Sequence, residues 1–360
     1  MLNLIFSNDY EIFFGENKFT EEEILIKTTN ELVHVLEAYD IKMSIFADVL
    51  CFQRYKQLGI NEFPEKVKNQ LNDLYSRGHD IQLHIHPHWK TAVINNNSWL
   101  FDKSKYKLTD FSKEDISKMV RESVCCLEDL INAPDYSSNL VAFRAGGWSF
   151  QPEQKVIGAL LENGIRIDST IFKDGYFDDG ILFYDFRKIQ ANSVNWFFDK
   201  EKGLCFDSSD YADSLFEIPI GSLNSNLFSL MLTRLYLLFI TKYKYRNSKA
   251  LMGSYINSAR ESRIKKLFKY GLNTKPIIFT YDRAASQQLM KLTEHYLKRA
   301  CQSENDIFVS IIGHSKLINH VSLNEVDRYL QAVKEKYPQE IKFTTYASIY
   351  KKLFERKVLN

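Results

Sequence analysis

The chain has 360 residues, 45% of them hydrophobic and only seven of them proline, which is enough apolar surface for one large elaborated domain. A net charge of +2 argues against a nucleic-acid binder, whose footprint is a strong, clustered basic excess. The five cysteines are odd in number and contain no Cys-x-x-Cys pair, so neither a disulfide framework nor a cysteine zinc site is expected. A reducing cytoplasm fits best, and the apolar run Leu2 to Phe6 lacks a basic start and breaks too early for an export signal.

The predicted elements alternate short apolar runs with segments of helical period. The first strand, Leu2 to Phe6, finishes in Asn8-Asp9-Tyr10-Glu11, leaving two carboxylates at its end. A stripe of Leu32, Val35, Leu36 and Tyr39 precedes a strand over Ile41 to Ala47, and a second stripe of Val67, Leu71 and Leu74 precedes a strand over Asp80 to Leu83. That strand runs into His84-Ile85-His86-Pro87-His88-Trp89, so that with His79 four of the eight histidines fall together. A helix over 113–131 leads to the strand Leu140 to Phe143, which ends in Arg144-Ala145-Gly146-Gly147-Trp148. A helix over Gln154 to Asn163 stops at Gly164, the expected residue beyond a helical stripe, and a strand Ile165 to Asp168 follows.

After the run Phe216 to Ile220, residues 222–274 read as two helices inserted into a single domain spanning 1–360. The alternation resumes with Pro276 to Thr280, followed by Asp282 without an assigned role. Then come a helix over Ala284 to Arg299, the strand Ile307 to Ile312 ending in Gly313-His314, a helix near Leu323 to Lys336 and a strand Ile341 to Thr344. Such βα alternation predicts a parallel sheet, here a distorted (β/α) barrel of about seven strands with the insertion after the sixth or seventh. In a barrel the carboxyl ends of the strands share one face, so acid, cation and imidazole groups distant in sequence converge there.

Within the insertion, Leu227 to Ile240 is apolar but interrupted by Arg234 and too short to span a membrane; Lys242, Lys244 and Arg246 follow, interleaved with Tyr243 and Tyr245. A peripheral membrane contact through 227–246 is one reading. A helix buried against the barrel or in a dimer contact is the commoner outcome for such a segment.

Two neutral imidazoles need only a carboxylate to make a three-ligand metal site with an open water position. His84 and His88 are the expected donors, and His86 carries no assignment. Zinc is the first expectation, with cobalt, nickel, manganese and iron also suited to such donors.

The ordered set of Asp9, Gly78-His79-Asp80, His84-x-x-x-His88, Arg144 and His314 resembles the polysaccharide deacetylase family, carbohydrate esterase family four with its NodB-like homology domain. The resemblance extends over roughly residues 1 to 350. It implies a hydrolase acting on carbon–nitrogen bonds other than peptide bonds, which removes an acetyl group from an N-acetylated sugar in a surface polysaccharide or a lipid-linked glycan precursor. Family members usually carry two adjacent aspartates, the first the catalytic base and the second a metal ligand. Two registers follow. In one, Asp9 is the base and Glu11 the metal carboxylate, which period-two geometry favours by placing both on one side of a strand. In the other, Asp9 is the metal carboxylate and Asn8 stands in the base position.

In the first register the metal rests on Glu11, His84 and His88, and Asp9 accepts the proton of the attacking water. Arg144 orients Asp9 and His314 protonates the leaving group. The resemblance further implies that Asp168 supports His314, while Gly146, Gly147 and Trp148 border the substrate. Gly146 stands where the family usually has proline. The alternatives are a glycan-binding or scaffold protein that kept the fold without turnover, and a hydrolase of a non-sugar amide.

Overall fold

In the computed structural model the described residues are 1–15, 19–95, 98–189, 194–201, 203–204, 213–225, 275–282 and 284–354, together with 235, 236 and 239. Nine strands form one sheet: β1 (Leu2–Tyr10), β2 (Ser44–Asp48), β3 (Asp80–Ile85), β4 (Ala142–Ala145), β5 (Ile167–Asp168), β6 (Trp196–Asp199), β7 (Ser214–Glu217), β8 (Ile307–His314) and β9 (Ile341–Phe343). Their spatial order is β6-β7-β5-β4-β3-β2-β1-β8, with β9 paired to β1 beside β8. All pairings are parallel except β6 with β7.

The sheet curls until its two sides meet. Beyond β7, Gly221 N–H donates to Ser310 O at 3.0 Å and Ser310 N–H donates to Pro219 O at 3.0 Å, so the chain after β7 pairs with β8. Seven strand positions therefore close into the distorted (β/α) barrel expected from the alternation. Helices clothe the outside, among them Thr28–Glu37, Val49–Gln57, Glu62–Ser76, Lys113–Leu130, Ser286–Cys301 and His320–Lys336. Each buries one stripe, as Ile116, Met119, Val120, Val124 and Leu127 do on Lys113–Leu130. Ser112 begins that helix by accepting the N–H of Asp115, a side-chain cap of the kind that satisfies an orphan donor at a helix start.

β1 is buried along its whole length and continues to Tyr10, so Asp9 lies within the strand and Glu11 directly after it. The period of two turns Ser7 and Asp9 to the same side of β1. β2 and β3 are buried throughout as well, as strands covered on both faces must be. Elsewhere the structure adds short hairpins that the alternation does not announce, Val93–Asn95 with Ser98–Leu100 and Tyr176–Asp178 with Phe183–Asp185.

Of the predicted insertion 222–274, Ser222–Ser225 is a strand paired antiparallel with Lys275–Ile278, so what is described of it begins as a sheet and not as a helix. The remainder, including the apolar run 227–246 apart from residues 235, 236 and 239, lies outside the described residues. Among the described residues no helix is long and apolar enough to cross a membrane. Cys51, Cys125, Cys126 and Cys301 are free thiols, and Cys205 lies outside the described residues.

Candidate active site

The carboxyl ends of β1, β3, β4 and β8 bring Asp9, Glu11, His84, His86, Arg144 and His314 together at one end of the barrel. Arg144 is the hub. Its guanidinium is fully buried, donates to Asp9 Oδ1 at 2.5 Å and to Ser169 O at 2.7 Å, and reaches Ser7, Ser169 and Ser310 hydroxyls at 3.0 to 3.1 Å. It also lies over the Phe46 ring, 4.1 Å from the centroid. Buried guanidinium survives only when paired and hydrogen-bonded to this extent. Burial alone would raise Asp9, but the Arg144 charge, with His84 and His314, holds its carboxyl below the ordinary value. Asp9 is therefore an ionised carboxylate with one oxygen fixed and the other 3.7 Å from His314 Nε2.

His84 Nδ1 lies 2.8 Å from the Arg144 carbonyl, which can only accept, so Nδ1 donates and Nε2 is the nitrogen left for another partner. Its Nε2 has no hydrogen-bond partner although it is buried. The same is true of His86 Nε2 and Glu11 Oε2. His86 Nε2 stands 2.7 Å from Glu11 Oε2, yet the angles do not make a hydrogen bond, and His84 Nε2 stands 3.9 Å from the same oxygen. Ligand atoms of Glu11, His84 and His86 all lie within 4.8 Å of one another. Three buried ligand atoms gathered this closely, each without a hydrogen bond, are a set that a cation would satisfy. Burial lowers the proton affinity of His84, but Asp9 and Glu11 outweigh it and raise the pKa.

His88 is placed elsewhere, which differs from the His84/His88 pair expected from sequence. Its ring lies parallel to Tyr106 at 10° and 4.6 Å, with Phe14 and Phe101 edge-on at 4.6 Å each. Burial pushes its pKa well below the ordinary value, so it is a neutral ring in an aromatic box. The reason is local: β3 ends at Ile85, and Pro87–Thr91 turns into a short 3-10 helix that carries His88 away from the strand direction. His86 takes the position facing Glu11. Gly146 makes room for it, since a Cβ there would fall 2.5 Å from His86 Nδ1.

His314, at the end of β8, is 17% exposed at its side chain and hydrogen-bonds Asp282 Oδ2 through Nδ1 at 2.6 Å. Burial lowers its pKa, but Asp282 foremost, with Asp9 and Glu11, outweighs that and raises it. Asp282, to which sequence gave no role, is the partner expected of Asp168. Asp168 instead accepts the Thr170 N–H and O–H at 3.0 and 2.8 Å, and it is coupled to Glu217, whose carboxyl is pushed up by burial and by Asp168. Sequence also passed over Asp48, buried at the end of β2. Trp89 Nε1 donates to its Oδ2 at 2.7 Å while Oδ1 has no partner, and burial pushes its pKa up to about 6.

A cavity of about 240 Å³ opens over these groups. Phe14, Tyr106, Trp148, Phe177, Ile181 and Leu182 form its apolar wall, and Asp9, Glu11, His86, His314 and Lys316 its reactive floor. Gly147 and Trp148 both adopt left-handed backbone, φ +59° and +55°, and Leu182 packs so close to Gly147 that a Cβ would meet it at 2.7 Å. The hairpin bearing Leu182 is tied down by Ser149, whose hydroxyl exchanges hydrogen bonds with the Phe183 backbone. Gly147 and Trp148 thus border the cavity, while Gly146 touches His86 beneath it.

No protein-family model matches the chain, and no curated protein matches it. Its structural neighbours include a protein assigned as a polysaccharide deacetylase from Mycobacterium smegmatis, at 11% identity and TM-score 0.48, covering 99% of this chain and 91% of that one. Another is Puue allantoinase, at 13% identity and TM-score 0.48, covering 98% and 90%. The Xyl-CE4 domain of a multidomain xylanase from the hindgut metagenome of Trinervitermes trinervoides is a third, at 10% identity and TM-score 0.36, covering 100% and 91%.

Proposed function

We propose that the protein is a divalent-metal-dependent hydrolase that removes an acetyl group from an N-acetylated sugar in a glycan or glycan precursor. The observation that carries this reading is the convergence of three buried, unsatisfied donors on Glu11, His84 and His86, beside the Asp9–Arg144 pair and the His314–Asp282 pair.

A divalent cation held by those three residues would supply a Lewis acid for the carbonyl and a water of lowered pKa. The side chains account for the rest. Asp9, ionised and oriented by Arg144, takes the proton of the attacking water. His314, kept protonated more readily by Asp282, returns a proton to the leaving nitrogen, which could not depart as an amide anion. Trp148 and the aliphatic side chains of Ile181 and Leu182 offer the acetyl methyl an apolar surface, and the ring of Phe177, 38% exposed, offers one to the sugar face. Zinc suits the two imidazoles and one carboxylate, as do cobalt, nickel, manganese and iron. A glycan precursor carried on a lipid is the setting we favour.

The test is acetate release from a panel of N-acetylated sugars and simple amides, using protein stripped with chelator and reloaded with each metal. Release from sugars that depends on metal supports the reading. Release from simple amides alone would point to a different substrate, and uptake of sugar with neither metal nor acetate release would point to a binding protein.

A further inference from the structure

The ammonium of Lys316 is 1% exposed, on the turn directly after His314. It sits 2.9 Å from Glu11 Oε1, donates to Ile12 O at 3.2 Å, and lies over the Phe14 and Phe13 rings at 4.7 and 5.5 Å. Taking an ammonium out of water costs several kcal/mol even after relaxation, so a lysine in this place calls for an account beyond packing. The two oxygens of Glu11 provide one, because they face different company. Oε1 meets Lys316, with His314 Nε2 at 3.6 Å, whereas Oε2 faces His86 and His84 and has no hydrogen bond.

We propose that Lys316 is a positioning residue that occupies Oε1 of Glu11 and so restricts this carboxylate to a single-oxygen contact with a divalent cation through Oε2. The inference rests on the metal reading above and deepens it. A carboxylate that chelates through both oxygens fills two positions around an ion, whereas one pinned by an ammonium would fill one and leave another for water or substrate. Lys316 also explains the use of glutamate here. Glu11 lies one residue beyond β1, where its carboxylate reaches Lys316 Nζ with one oxygen and His86 Nε2 with the other.

The experiment loads cobalt(II) into the full chain and reads its visible absorption, whose intensity falls as coordination number rises. Lys316→Met, which keeps length and packs against Phe13 and Phe14, is expected to bind cobalt with a loss of absorptivity as the second Glu11 oxygen joins the ion. In a Glu11→Gln background, where no second carboxylate oxygen exists, Lys316→Met should leave the spectrum unchanged. A wild-type-like spectrum for Lys316→Met overturns the proposal, and so does an equal loss in the Glu11→Gln background. Failure of the unaltered protein to bind any divalent metal removes the metal reading itself. If Lys316→Met does not fold, a metal-bound crystal structure of the unaltered protein decides: one Glu11 oxygen within about 2.0–2.2 Å of the ion supports the proposal, and two overturn it.

Discussion

Replacing His86 and His88 separately distinguishes the site seen in the structure from the one suggested by the spacing of the histidines. His86→Ala removes a donor that stands 2.7 Å from Glu11 Oε2. Structural zinc sites with four ligands bind with roughly 10–16 kcal/mol at neutral pH, or about 3 kcal/mol per ligand if shared evenly. Since 1.4 kcal/mol is tenfold in affinity, losing His86 should weaken metal binding on the order of 100-fold. His88→Phe keeps a ring in the box of Tyr106, Phe14 and Phe101 and loses only two nitrogens that have no partner, so affinity should stay within about threefold, less than 1 kcal/mol. Competition against a chromophoric chelator gives both affinities, and circular dichroism with thermal melts shows that each variant is folded. Loss of binding in His88→Phe with retention in His86→Ala would refute the reasoning and return the second imidazole to His88.

Arg144→Met strands the buried Asp9 carboxylate, and breaking such a pair costs about 3–5 kcal/mol; urea denaturation should show it, and a cost under about 1 kcal/mol would mean that Asp9 had found another partner. Asp282→Asn withdraws the charge that raises His314, so the alkaline limb of the kcat/KM profile should move to lower pH, whereas an unmoved limb would assign that limb to another group. Asp48 has a folded pKa of about 6 against an ordinary 3.8, so the folded state holds the proton more tightly, and the stability this contributes is present below pH 4 and lost as pH rises through 6. In chelator-treated protein Asp48→Asn, which still accepts from Trp89, should gain up to about 3 kcal/mol at pH 7 and nothing at pH 4; a gain independent of pH would rule out titration of Asp48 as its source.

The barrel was legible because its strands are nearly continuous apolar runs and its helices carry clear stripes; the polar side chains at strand ends marked the face on which Asp9, Arg144 and His314 gather. Asp9, Arg144 and His314 all sit on strands, where position along the chain dictates which side a residue faces. The features that sequence did not foresee have a common origin in the segments that follow strands. His88 lies in a 3-10 turn whose course is set by Pro87 and by the aromatic rings around it. Asp282 lies beyond Lys275–Ile278, in a loop where no periodicity applies, and Lys316 lies in the turn after β8. Asp48 was hidden by a strand boundary, β2 being predicted to stop at Ala47 and in fact ending one residue later.

The pairing of Leu2–Asp9 with Ile307–His314 joins β1 to a strand made about 305 residues later. Glu11 and Lys316 are about 305 residues apart, and at some 5–20 residues per second roughly 15–60 s separate their emergence from the ribosome. Throughout that interval β1 lacks β8 and β9, and the acids at its end lack the ammonium and imidazole that accompany them in the finished barrel. The barrel therefore closes, and the carboxylates of Asp9 and Glu11 gain His314 and Lys316 beside them, only once the segment from residue 307 onward is available.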